Sequence, residues 1–317
     1  QKIVLIILGF LLIIIAGFRQ EDSVRDYEMY VWMFQEQSDA IVEPAFIVIS
    51  YVCHSLFGDI SISIFLIFAF LGVSLKLTAI KQLTELWFLS VLIYLSNFFI
   101  LHEMTQIRAG VASALMLLCV KPIYDRNLKF FFLLAFLAFS FHYSGLMILP
   151  LWFLNAKPQK KWLILLIPIG YLLFFLGVNL IMSIPIPGVS DKIEMYQKLY
   201  EIGGDEWTNI NLFNLVFLAR IAIFYFLIFK YDLLLSYNKY FPVLMKIYCI
   251  SLISYPILAT LPAIATRINE FYGVVDIILI PFLYYIFKPI YFSRAIVVFI
   301  GLSLLLIVLF YIKLISY

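Results

Sequence analysis

The chain has 317 residues, of which 65% are hydrophobic and 13% are charged, and its formal net charge is +3. A mean hydropathy of +1.05 excludes a soluble globular domain, and the small net charge gives no reason to expect nucleic acid as a partner. Apolar runs recur along the whole sequence, as in proteins whose helices cross a membrane several times. We therefore predict an all-α, polytopic transmembrane helical bundle that forms a single integral membrane domain over 1–317.

The apolar pattern predicts about 11 spans, some of them short or re-entrant, joined by polar segments that include outer-face amphipathic loops. The expected bounds of these spans are 2–18, 58–75, 86–101, 106–121, 129–141, 145–156, 162–181, 211–230, 241–262, 270–287 and 295–313.

The first polar stretch, 19–43, contains seven of the 19 acidic residues. Tyr27, Tyr30, Val31 and Phe34 recur there at helical spacing and predict a helix with one apolar face. Together with the apolar run that follows, the stretch is interpreted as an outer amphipathic and re-entrant segment over 19–57. A solvated surface helix without chemistry is the alternative.

A second irregular region begins with an unusually short apolar run. Residues 130–141 would cover about 18 Å as a helix, well short of a hydrocarbon core of roughly 30 Å. The run ends in His142-Tyr143-Ser144-Gly145, so we expect the chain to turn back at His142 and leave its side chain in an outer-facing cavity. A further outer loop or lid is predicted over 183–211.

The distribution of positive charge predicts the orientation. Fourteen of the 22 Lys and Arg residues, Lys76 among them, fall on one side of the predicted spans, which should be cytoplasmic. Most of those fourteen are Lys, whereas five of the eight on the other side are Arg. The Arg guanidinium can hold phosphate or carboxylate through two parallel hydrogen bonds, so the outer face is predicted to be the working face.

Three ionisable residues within or beside the predicted spans are candidates for function. Arg220 lies about nine residues into its span, where an unpaired Arg would cost about 2.5–3.5 kcal/mol, so it needs a partner or a polar cavity. A structural pair with Asp276 is the alternative. Arg108 and Arg267 stand at outer helix boundaries, where snorkelling to the interface is the simpler interpretation.

Several common catalytic patterns are missing from the sequence. There is no Walker phosphate loop and no paired Asp-x-Asp, which argues against a nucleotide-sugar donor. The three histidines lack metal-ligand spacing, so we predict no metal and no cofactor.

Five short motifs resemble those of the EpsG family, bacterial membrane proteins related to the Wzy-type polymerases of O-antigen and exopolysaccharide. The resemblance extends in order over roughly 3–287. The motifs are Arg25-Asp26-Tyr27 with Tyr30, Glu43-Pro44, Ile107-Arg108 with Gly110, Phe141-His142 with Ser144, and Arg267.

The resemblance implies a glycosyltransferase of the bacterial cytoplasmic (inner) membrane whose active site faces the periplasm or exterior. Such a polymerase moves a glycan from undecaprenyl diphosphate onto a lipid-linked repeat unit; membrane lipid, a chain-length regulator and a flippase of the same pathway are further expected partners. The catalytic candidates for a general base are, in order of preference, His142, Glu43 and Asp26. The expected substrate-binding residues are Arg25, Tyr27, Tyr30, Arg108, Ser144, Arg220 and Arg267.

Other functions remain open at this point. A ligase would use the same lipid-linked donor but transfer its glycan once, to another lipid. A proton-coupled transporter or flippase of lipid-linked oligosaccharide would also contain buried ionisable groups, but should place them along both halves of a path. A membrane acyltransferase would suit a lone buried histidine, but leaves the outer arginines without a role.

Overall fold

A computed structural model describes residues 2–21, 24, 26–36, 42–177, 210–312 and 314. These residues fold mainly into helices joined by short turns, which confirms the all-α prediction. Most of the predicted 183–211 loop, together with Arg25, lies outside the described residues.

The described residues of the amino-terminal half form seven α-helices, one of which continues into a π-helical stretch, followed by a 3-10 helix. Their bounds are α1 (Lys2–Gly17), α2 (Tyr27–Gln35), α3 (Pro44–Phe57), α4 (Ile62–Leu83), α5 (Trp87–Ile93) with the π-helical stretch Tyr94–Thr105, α6 (Ile107–Asp125), α7 (Leu128–Phe141) and the 3-10 helix Tyr143–Phe153.

The remaining described residues add seven α-helices, a second 3-10 helix and a π-helical end. Their bounds are α8 (Lys160–Phe175), α9 (Leu215–Phe229), α10 (Tyr231–Tyr237), α11 (Phe241–Ile257), α12 (Pro262–Gly273), α13 (Asp276–Leu279), the 3-10 helix Ile280–Tyr285, and α14 (Ile290–Leu306) with the π-helical end Ile307–Ile312.

The chain divides into two compact units. The first unit comprises Gln1–Asn155 and Asp276–Tyr317, and the second comprises Ala156–Val275. In the first unit α6 is the most deeply buried long helix, and α4, α7 and the π-helical stretch pack against it. In the second unit α11 has the same position between α8 and α12. A single integral domain stays a prediction.

Four helices among the described residues are long and apolar enough to cross a membrane: Ile62–Leu83, Trp87–Thr105, Ile107–Asp125 and Ile290–Ile312. The other apolar helices are shorter, and the predicted count of about 11 spans is not confirmed.

The span predicted over 270–287 is wrong as a continuous helix. The chain there passes from the end of α12 through the four-residue α13 into a 3-10 helix. Pro281 lies at the start of that 3-10 helix, and its missing N–H and fixed ring disfavour a continuous α-helix through this point.

The orientation count is wrong for Lys76, which was assigned to a cytoplasmic loop. Helix α4 continues to Leu83, well beyond the expected end at residue 75, and Lys76 is fully buried within it. The sidedness of the protein stays a prediction.

Two local predictions about the irregular segments are confirmed. Tyr27, Tyr30 and Phe34 form the buried face of α2, and Val31 beside them is partly buried. Helix α7 ends at Phe141, and the 3-10 helix that follows packs back against it. Gly145 permits this reversal, because a Cβ atom there would lie only 2.2 Å from the backbone nitrogen of Phe139.

Candidate functional site

The starts of three helices meet in the first unit, and each contributes a polar side chain. Glu43 is the N-cap residue of α3, Arg108 lies in the first turn of α6, and His142 precedes the 3-10 helix. These residues are far apart in sequence, and the fold brings them together. We call Glu43, Arg108 and His142 the site triad.

The start of α3 leaves the Glu43 carboxylate available for other contacts. Pro44 occupies the first helical turn, where its fixed φ suits a helix and its missing N–H costs nothing. The Glu43 side chain makes no capping hydrogen bond, although its backbone carbonyl accepts one from Phe46 N–H at 3.0 Å. The buried carboxylate therefore faces Arg108 and His142.

Arg108 forms the charged contact of the site. Its Nη1 donates a hydrogen bond to Glu43 Oε2, and the guanidinium carbon lies 5.5 Å from the ring centre of Tyr30 and 5.8 Å from that of Phe46. A cation in the first turn of a helix is disfavoured by the helix dipole, and the Glu43 carboxylate offsets that cost. Within the part of the chain that the structure describes, the buried Nε of Arg108 has no hydrogen-bond partner.

A hydrogen bond from the backbone sets the tautomer of His142. The N–H of Ser144 donates to His142 Nδ1 at 3.1 Å, so the lone pair of the neutral ring is on Nδ1 and its proton is on Nε2. His142 Nε2 lies 3.9 Å from Glu43 Oε1, too far for a hydrogen bond but close enough for an ion pair once the ring is protonated. The ring is 22% exposed, whereas the Glu43 side chain is 3% exposed.

Aromatic side chains form the wall beside Arg108. Tyr30 packs edge-on against Phe65, and Tyr27 stacks on Phe65 with ring centres 4.7 Å apart. Burial raises the pKa of Tyr30, and Arg108 acts in the opposite direction, so the phenol is neutral at ordinary pH. Arg19 also lies beside this wall, with its guanidinium carbon 4.6 Å from the centre of the Phe65 ring. Arg19 is not among the predicted site residues. Burial lowers its pKa to about 10, so it stays a cation near neutrality.

The other predicted site residues have different surroundings. Asp26 precedes α2 and accepts a backbone hydrogen bond from Tyr30 at 3.2 Å, without capping the helix through its side chain. Ser144 acts through its backbone N–H, as described above. The roles of Asp26 and Arg25 stay predictions.

Arg220 and Arg267 belong to the second unit. Arg220 donates to Asn269 Oδ1 at 2.6 Å and to Ser251 Oγ at 3.2 Å, and it lies 5.6 Å from the ring centre of Tyr248. A neutral amide and a hydroxyl thus take part of the hydrogen-bonding capacity of the Arg220 guanidinium. Asp276 belongs to the first unit, and its pairing with Arg220 stays a prediction. Arg267 is exposed on α12.

The site triad combines two kinds of chemistry. A carboxylate and an imidazole can accept or hold a proton, and the guanidinium can stabilise an anion beside them. Among the described residues, no group of three or more His, Cys, Asp or Glu side chains is arranged to hold a metal ion.

The fold and the triad together define a helical protein with membrane-length segments and a site suited to proton transfer next to an anion. The chain belongs to the EpsG family, whose sequence model matches residues 2–317. It is also 26% identical over 240 residues to the amylovoran biosynthesis protein AmsC of Erwinia amylovora. That match covers 68% of this chain and 62% of the relative, so the chain spans about three fifths of that relative's length. No solved structure matches the chain.

Proposed function

We propose that the chain is a bacterial polysaccharide polymerase of the O-antigen or exopolysaccharide type. In this proposal it transfers a glycan from undecaprenyl diphosphate to a lipid-linked repeat unit at the outer face of the cytoplasmic membrane. The observation that carries the proposal is the site triad, in which a buried carboxylate is held between a guanidinium and an imidazole. Membership of the EpsG family and the similarity to an amylovoran biosynthesis protein support it.

The geometry favours Glu43 over His142 as the general base. A neutral His142 whose Nδ1 accepts the Ser144 N–H presents a proton, not a lone pair, on the edge that faces Glu43. The Glu43 carboxylate beside Arg108 has lone pairs that can accept the proton of an acceptor hydroxyl. This reverses the order of preference derived from the sequence, and His142 then orients the carboxylate and stabilises its charge.

The proposed reaction transfers one glycosyl group. The acceptor hydroxyl gives its proton to Glu43, and its oxygen attacks the anomeric carbon of the donor sugar. The bond from that carbon to the diphosphate oxygen breaks, and the diphosphate leaves with the electron pair. General-base catalysis typically contributes about 10²–10⁴ in rate.

Arg108 is placed to stabilise the charge that develops on the leaving diphosphate. Its Nη1 is bonded to Glu43, and its Nε carries a donor without a protein partner in the described residues. A charge-assisted hydrogen bond from such a donor is worth about 1.5–3 kcal/mol. Arg25, Arg220 and Arg267 stay candidates for the same role, and Tyr27 and Tyr30 for contact with the sugar.

The decisive experiment gives the purified protein, in detergent or liposomes, only the undecaprenyl diphosphate-linked repeat unit of the producing strain. A ladder of products that differ by one repeat unit is the expected result. A single transfer to a different lipid would replace polymerase by ligase. Movement of the substrate across liposomes without any new glycosidic bond would replace it by a flippase.

The outer location of the site has a separate test. In a variant without native cysteines, Ser38→Cys should react with a membrane-impermeant thiol reagent in intact cells whose outer membrane, if present, is permeabilised. Labelling only after the cytoplasmic membrane is lysed would place the 19–43 stretch in the cytoplasm and contradict the orientation.

A further inference from the structure

A second charged cluster, sealed from solvent, lies in the first unit between α4, the π-helical stretch and α6. Lys76 Nζ donates to Glu103 Oε1 at 2.6 Å and to the carbonyl oxygen of Gly110 at 2.9 Å. Tyr94 OH donates to the same Glu103 oxygen at 3.0 Å. We call Lys76, Glu103 and Tyr94 the sealed network, because all three side chains are buried and the two charged ones are 0% and 1% exposed.

The sealed network is tightly packed on the side of Glu103. Gly72 lies against Glu103 so closely that a Cβ atom would be 1.9 Å from Oε2. That oxygen has no hydrogen-bond partner among the described residues, so the carboxylate is buried without full compensation. Apolar residues of similar size often stabilise such a position as well as an ion pair does, and stability alone therefore gives no reason for these charges.

The contacts of Lys76 hold the chain on both sides of Arg108. Glu103 precedes Arg108 by five residues at the end of the π-helical stretch, and Gly110 follows it by two residues in the first turns of α6. The ammonium group of Lys76 donates hydrogen bonds to both Glu103 and the carbonyl oxygen of Gly110. Arg19 adds a third tie, since its Nη1 donates to the carbonyl oxygen of Met104.

The junction between the π-helical stretch and α6 is also closely packed. A Cβ atom on Gly110 would lie 2.6 Å from the carbonyl oxygen of His102, so a larger residue would push α6 away from the π-helical stretch. His102 Nδ1 and Ser113 Oγ lie 3.2 Å apart across the same junction. The direction in which α6 starts, and with it the direction of the Arg108 side chain, is therefore fixed from several sides.

We propose that Lys76 and Glu103 are positioning residues for Arg108. By tying Glu103 and Gly110 together, the Lys76 ammonium holds the start of α6 so that the Arg108 guanidinium meets Glu43. The inference rests on the proposed function only for its activity measurement. The residues act through Arg108 and do not touch substrate.

The test removes both charges at once. Lys76→Met combined with Glu103→Met leaves no unpaired buried charge, so the variant should fold with an unchanged or higher thermal midpoint in detergent. Its rate of polymer formation at saturating lipid-linked repeat unit should nevertheless fall by about 10- to 100-fold, since misplacing a catalytic group by about 1 Å has effects of that size. Lys246→Met is the matched control, a buried lysine of the second unit whose replacement should leave the rate unchanged.

Combination with a change at Arg108 separates positioning from a general structural role. If the sealed network acts through Arg108, adding both Met replacements to Arg108→Lys should lower the rate by no more than about twofold beyond Arg108→Lys alone. A rate 10- to 100-fold below that of Arg108→Lys alone would overturn the proposal. A wild-type rate in the variant that carries only Lys76→Met and Glu103→Met would overturn it as well.

A labelling measurement does not depend on any activity. Phenylglyoxal should modify Arg108 faster in the double variant than in the wild type, relative to the exposed Arg294 of the same protein, because the guanidinium is released from Glu43. An unchanged ratio by mass spectrometry would overturn the positioning role even if the protein makes no polymer. A raised ratio in a protein without polymerase activity would leave the positioning role intact and overturn only the proposed function.

Discussion

Two buried ion pairs in the first unit differ in what surrounds them. The side chains of Lys76 and Glu103 are 0% and 1% exposed, and Tyr94 and a backbone carbonyl add further hydrogen bonds to the pair. The side chains of Arg108 and Glu43 are 14% and 3% exposed, and beside them lies the partly exposed His142. The first pair joins the interior of α4 to the end of the π-helical stretch, whereas the second joins the starts of two helices.

A buried charge is therefore not by itself a sign of a binding site. Glu103 is packed against Gly72, where no atom can be added. The buried Nε of Arg108 has no hydrogen-bond partner among the described residues, and it lies next to a side chain that solvent can reach. Both pairs leave a buried polar atom without a hydrogen-bond partner among the described residues, so the partly exposed His142 beside Arg108 is what distinguishes the candidate site from the sealed network.

The largest expected effect is a loss of turnover when Glu43 is replaced. Glu43→Gln keeps an oxygen for the Arg108 hydrogen bond but removes the basic carboxylate, so the initial rate of polymer formation should fall by about 10²–10⁴. His142→Gln, which keeps hydrogen bonding without a titratable ring, should lose less. A larger loss at His142 than at Glu43, in variants of equal thermal stability, would return the role of base to the histidine.

Breaking the sealed network on one side should mainly affect stability. Lys76→Met leaves Glu103 as an unpaired buried carboxylate, which should lower the free energy of unfolding by about 3–5 kcal/mol. Denaturant unfolding in mixed micelles measures this loss, and adding Glu103→Met should restore most of it. A single variant as stable as the wild type would mean that water reaches Glu103.

An added methyl group at Gly72 should have a smaller effect on the same network. Gly72→Ala forces the Glu103 carboxylate to move, and we expect an unfolding free energy lower by about 1–3 kcal/mol. Gly9→Ala in α1 is the matched control, since its Cβ meets only the end of the Leu77 side chain and should be tolerated. Equal thermal midpoints for the two variants would show that the space beside Glu103 is not tight.

The smallest effect is expected for an ion pair at the surface. Lys121 and Asp125 form an exposed pair one helical turn apart on α6. Lys121→Met should change the unfolding free energy by less than about 0.5 kcal/mol, because solvent already screens the pair. A loss of several kcal/mol in the same unfolding experiment would remove the distinction between sealed and exposed pairs.

The local features of the fold could be predicted from sequence where periodicity or chain length decided them. The buried face of α2 follows from helical spacing, and the break after α7 follows from a run too short to cross a membrane. The end of α4 could not be predicted in this way, because an interior lysine that is paired within the protein looks the same in sequence as one that marks a loop.

The candidate site was found through short motifs, and its pairings came only from the structure. Neither spacing nor composition indicates that Glu43 contacts Arg108, 65 residues later. The pairing of Lys76 with Glu103 depends on the rotation of one helix and the π-helical turns of another, which no pattern in the sequence revealed. Arg220 shows a different difficulty, because a search for opposite charges overlooks an amide such as Asn269.

The π-helical stretch restricts how this chain can change in length during evolution. Its hydrogen bonds run from a residue to the one five positions before it, as between Gln106 N–H and the carbonyl oxygen of Leu101. Deleting one residue there would turn the downstream side chains by about 100° relative to those upstream. Lys76 could then no longer meet Glu103 while Glu43 meets Arg108, because Glu103 lies in the π-helical stretch and Arg108 lies in α6. Insertions and deletions should therefore be tolerated in loops. Between positions 94 and 108, we expect none in family members that share the site. An alignment gap in that range, in a family member shown to make polymer, would contradict this expectation.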